Sequence, residues 1–193
     1  IETLVLISDN AGTALLAADT NTITSLASDT TLTTITASGS DALSFTLSGA
    51  ETNLATINAS AMTDVVTVNV SSLTSNVTIT TGSEDDTIVM GATLSILDVI
   101  DGGSNSTDAS NDDTLTASGA QGSSLTALTT SIANVEIIEF TNAANDAYID
   151  AAGITGASSI AFSQGSGQTT KITNLAVGTE IGVGLSAVEL EGT

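Results

Sequence analysis

Acid and glycine are concentrated in the middle of the chain: Gly82-Ser83-Glu84-Asp85-Asp86-Thr87-Ile88, then Asp98-Val99-Ile100-Asp101-Gly102-Gly103, then Asp112-Asp113-Thr114-Leu115. Carboxylates at this density repel one another unless a cation lies among them. The chain sets 22 acidic residues against a single basic one, Lys171, and has no His, for a net charge of -21. The cation therefore has to come from outside. Ca²⁺ is the natural candidate, because it takes about six to eight oxygen ligands and tolerates irregular geometry. The candidate ligands are Glu84, Asp85, Asp86, Asp98, Asp101, Asp108, Asp112 and Asp113. An EF-hand does not fit, since Asp108 to Asp113 lacks both the central Gly and the closing Glu of that loop.

Other chemistries are poorly served. Without His or Cys there is no Ser-His-Asp or Cys-His nucleophile, no thiolate or imidazole metal site and no disulfide. A glycosidase could use two carboxylates, yet only Phe45, Phe140, Phe162 and Tyr148 are available to stack on a sugar, and these read as strand and core fillers. The chain reads as a non-enzyme. Lacking a basic patch, it has no means of binding nucleic acid or an anionic membrane, and no apolar run is long enough to span a bilayer.

The acidic segments must be held by strands. Apolar residues make up 41% of the 193 residues, rich in Val, Ile and Thr, which argues for a packed core and against an acidic disordered chain. Short runs alternate apolar residues with Thr, Ser or Asn: Leu43 to Leu47, Val65 to Val70, Val77 to Thr80, Thr87 to Met90, Thr114 to Ala117, Val135 to Phe140 and Ser159 to Phe162. Period two between Gly, Asn, Asp and Ser marks half-buried strands. Phe45, Val66, Ile88, Ile137, Ile160 and Ile181 fall near multiples of roughly 21 residues, the repeat of a coil with two strands per turn. The longer step from Ile88 to Ile137 holds an acid-rich insertion at about 81–117. An all-β parallel β-solenoid, β-helix- or β-roll-like, is expected over 1–193, with rungs of roughly 21 residues. A β-sandwich shares the short strands, but the scarcity of hairpin turns favours the solenoid, Asp101-Gly102 being the exception. Helix is limited to one short turn at Ser123 to Ile132, where Leu125, Leu128 and Ile132 have helical spacing.

Calcium-binding β-rolls repeat G-G-x-G-x-D-x-U-x, in which glycines make the turn, Asp ligates and the apolar U enters the core. Segment 81–89 reads T-G-S-E-D-D-T-I-V, with Gly82, Asp86 and Ile88 in register; Asp98 and Ile100 match next, then Gly102-Gly103 followed by Asp113 and Leu115. On these residues, and on Ile132-Ala133-Asn134-Val135-Glu136, the chain resembles bacterial surface-layer proteins and RTX-type extracellular proteins. It departs from the repeat at Thr81, Glu84 and Asn105, where glycine is usual. The resemblance implies a secreted or cell-surface structural protein that binds Ca²⁺ and assembles with copies of itself into a lattice, with cell-surface polysaccharide as a further partner. A calcium-dependent adhesin or carbohydrate-binding stalk is the alternative, and a polysaccharide-degrading β-helix the remote one. The chain reads as part of a larger protein. Outlying acids Asp9, Asp19, Asp29, Asp41 and Asp64 read as turn or cap residues, and Asp146 with Asp150 as a weaker second site. Asn-x-Ser/Thr triplets begin at Asn58, Asn69, Asn76 and Asn105.

Overall fold

The computed structural model describes residues 2–9, 20–26, 30–104, 112–118, 131–141, 147–163, 169–183 and 187–191. It is an all-β solenoid of parallel sheets, about six turns with rungs of about 22 residues and almost no helix. One seven-stranded sheet stacks β1 (Thr3–Ser8), β3 (Thr34–Gly39), β5 (Thr56–Met62), β7 (Thr78–Thr80), β9 (Val99–Asp101), β11 (Ser131–Ala133) and β14 (Ile154–Thr155). The eight-stranded sheet stacks β2 (Asn21–Leu26), β4 (Leu43–Leu47), β6 (Val66–Asn69), β8 (Thr87–Gly91), β10 (Thr114–Ser118), β12 (Ile137–Thr141), β15 (Ser159–Ser163) and β17 (Glu180–Val183). A smaller sheet holds β13 (Ala147–Asp150), β16 (Thr169–Thr173) and β18 (Ala187–Glu191).

Alternation along each strand decides what goes inside. In the first sheet, register aligns Leu4, Ile35, Ile57, Ile79, Ile100, Ile132 and Ile154 as one inward column. In the second, Ile23, Phe45, Val68, Ile88, Leu115, Ile138, Ile160 and Ile181 do the same. These columns belong to one continuous apolar cluster, in which Phe140 and Phe162 stack at 5.4 Å between ring centroids. Each fully buried Ile, Leu or Phe contributes about 1.5–3 kcal/mol. Thr34, Thr56 and Thr78 on one sheet and Thr67, Thr87 and Thr114 on the other occupy aligned outward positions, where β-branched side chains suit the pleat.

The solenoid expected from the sequence is present, with two shifts in detail. Leu115 of β10 is a core residue between the rungs of Ile88 and β12, so the long step is two rungs. The inward residue of β12 is Ile138, not Ile137, because Phe140 two positions on must also face the core. The helical turn expected at 123–132 lies outside the described residues except for Ser131 and Ile132, which form strand instead. Among the described residues, the helical segment is a single 3-10 turn at Ala151–Gly153, capped by the Asp150 carboxylate, which accepts the Ala152 N–H at 3.0 Å.

Two corners use the same device. Asn134 and Asn174, each following a strand, adopt left-handed backbone with φ of 54° and 55°. Their Nδ2 groups donate at 2.8 Å to Oδ1 of Asp101 and of Asp150. A left-handed conformation costs an L-residue roughly 1–2 kcal/mol that Asn recovers in part by local hydrogen bonding and Gly avoids. Asn134→Ala should therefore lose about 1–2 kcal/mol and Asn134→Gly less. Urea titration of the two variants checks this, and equal midpoints would refute the role of backbone conformation.

Candidate functional site

The acids that matter most share one slot, the residue immediately before a strand. At the corner leading into the eight-stranded sheet, Asp86 precedes β8, Asp113 precedes β10 and Glu136 precedes β12. Asp86 accepts the Val66 N–H at 2.6 Å on Oδ1 and the Gly82 N–H at 2.7 Å on Oδ2. Asp113 Oδ1 in turn accepts the Asp86 N–H at 2.7 Å, and Glu136 Oε2 the Asp113 N–H at 2.9 Å. Each acid thus reaches back one rung to a backbone amide at its own slot. At the same slot one rung earlier, Leu43 donates to the carbonyl oxygen of Val65 instead. A carboxylate replaces that carbonyl and satisfies an amide that burial would otherwise leave unpaired. At the corner into the seven-stranded sheet, Asp98 before β9 does the same, accepting Val77 N–H and Ser95 N–H at 2.7 Å each.

Asp86, Asp98 and Asp113 are 1%, 1% and 3% exposed. Burial opposes the charged form and pushes the Asp86 carboxyl up to about 6, against the pull of the Val66 and Gly82 amides and with a small push from Glu84. Burial likewise pushes Asp113 up to about 7, the Asp86 amide opposing and the charges of Asp86, Glu136 and Asp85 adding to the rise. Asp150, at the end of β13 in the three-stranded sheet, is instead lowered by the hydrogen bond from Asn174.

The other expected ligands are distributed around this corner. Glu84 is half-buried, and Asp85 and Asp112 are exposed, with the Asp112 N–H donating to Asp85 Oδ1 at 3.2 Å. Asp101 is half-buried and accepts from Gly103 N–H at 3.0 Å as well as from Asn134. Asp108 lies outside the described residues. Asp98 stands at the other end of β9, apart from the rest. Among the described residues, no three acidic groups converge as a metal shell would require. Asp86 and Asp98 have both oxygens on backbone amides, so of the expected ligands described it is the exposed Asp85 and Asp112 that could still turn an oxygen to a cation.

Sequence reasoning missed Glu136 as a member of the staircase, because the apolar run Val135 to Phe140 places it inside a strand, whereas β12 begins only at Ile137. Of the outlying acids, Asp64 bonds the backbone beside it, as a turn residue does, whereas Asp9 reaches across to the next rung, 31 residues on. Asp9 Oδ1 accepts the Ser40 N–H at 2.8 Å and Asp64 Oδ1 the Val65 N–H at 2.7 Å. Asp41 Oδ2 is buried without a partner. A hollow of about 350 Å³ is lined by Glu139, Phe140, Ala161, Phe162, Ser163 and Gly182 among others, with one carboxylate, Glu139. No helix among the described residues is long and apolar enough to cross a membrane. No protein-family model matches the chain, and neither the curated proteins nor the solved structures give a match. The class defined by the fold is the parallel β-solenoid.

Proposed function

We propose that this chain is a structural module of a surface-layer-like extracellular protein, a β-solenoid that binds Ca²⁺ and associates with copies of itself. The observation that carries this reading is the staircase of carboxylates at one corner, in a chain with one basic residue. Ionised together, Asp85, Asp86, Asp113 and Glu136 repel, and a divalent cation at the exposed Asp85 and Asp112 would relieve that repulsion and tie the two rungs together. The repetitive stack supports a load-bearing or spacing role, since each rung rests on its neighbours.

The test is thermal unfolding by circular dichroism, with light scattering, in excess chelator and in millimolar Ca²⁺. Saturating a site at about 100 times its Kd adds about 2.7 kcal/mol, which in a chain of this size raises the melting temperature by about 5–10 °C. That rise, with growth of scattering, is the expected result. Superimposable melting curves would remove the calcium reading. A second reading, a calcium-dependent adhesin or carbohydrate-binding stalk, draws on the hollow beside Glu139. A glycan-array signal from a strictly monomeric protein would favour it.

A further inference from the structure

We draw no further inference here: the strongest candidate, the column of Asp41, Asp64 and Glu84 aligned by register at the corner leading into the eight-stranded sheet, where Asp41 Oδ2 is buried without a partner, is an acidic cluster with nothing beside it that points to a ligand, since Asp41 as a whole is partly exposed and no three acidic groups among the described residues converge on one point.

Discussion

Gly102→Ala should cost the fold about 3 kcal/mol or more, the upper end of overpacking penalties, although it adds one methyl group. The Gly102 N–H donates to the Ala133 carbonyl at 3.0 Å, which draws its α-carbon against the neighbouring rung. A Cβ there would overlap the Asn134 carbonyl oxygen, which is backbone and cannot turn aside, and would press on the Asp113 carboxylate. Relief requires the two rungs to part, and parting them loosens both the Asp101–Asn134 corner and the acid staircase. Gly178→Ala is the control: its added methyl meets nothing within 4 Å, while φ of 95° still imposes backbone strain, so its loss should be about 1–2 kcal/mol. In a chain of this length the two losses correspond to drops in melting temperature of roughly 6–12 °C and 2–8 °C. A Gly102→Ala protein melting within 2 °C of the wild type would show that the rungs are not in the close contact described.

Stability should fall as pH rises from 5 to 8, the reverse of ordinary acid denaturation. Asp86 and Asp113 have folded-state pKa values of about 6 and about 7, above the usual 3.8 of the unfolded chain. Below 3.8 both states hold these protons and the contribution is complete; between 3.8 and 7 only the folded state keeps them, so each step up in pH favours unfolding. Above about 8 both states are ionised and the loss is finished. Between pH 5 and 8 the folded state alone holds the proton over about one unit for Asp86 and about two for Asp113, which at about 1.4 kcal/mol per unit is a combined loss on the order of 4 kcal/mol. The window lies above the isoelectric point of about 4.1, which keeps the protein charged and soluble while it is measured. Asp113→Asn retains an oxygen for the Asp86 N–H but cannot ionise, so its profile should be flatter by more than half. Equal melting temperatures for the wild type at pH 5.5 and pH 8 would sink this account. If Ca²⁺ binds at Asp85 and Asp112, its benefit should be largest where the carboxylates are most ionised, at pH 8.

The fold was legible because its two signals are local. Period-two alternation of Ile, Val and Leu with Thr specifies strands, and the recurrence of Phe45, Val66, Ile88, Ile160 and Ile181 near multiples of roughly 21 residues specifies a coil. Where the column is interrupted, the signal fails. The Asp86 to Asp113 step spans 27 residues against 20 for Val66 to Asp86, so a repeat of fixed length skipped the rung of Leu115. Adjacent apolar residues hide the register in the same way, which is why Ile137 was indistinguishable from Ile138. The location of the acidic corner was legible from Gly and Asp together. The task of each carboxylate was not, because Asp86 answers to an amide 20 residues earlier, and only the stacking of rungs reveals that Val66 lies beside it.

The lone basic residue has a consequence for durability. Trypsin-like proteases cut after Lys or Arg, and this chain offers them one bond, Lys171–Ile172. That bond lies within β16, paired on one side with β13 and on the other with β18, and Ile172 is 1% exposed. A protease needs an extended segment drawn away from its neighbours, so cleavage here must wait until the three-stranded sheet opens. The scarcity of cations that exposes the acid corner to its own repulsion thus leaves such enzymes almost nowhere to start, and the one place they could is clasped between two strands.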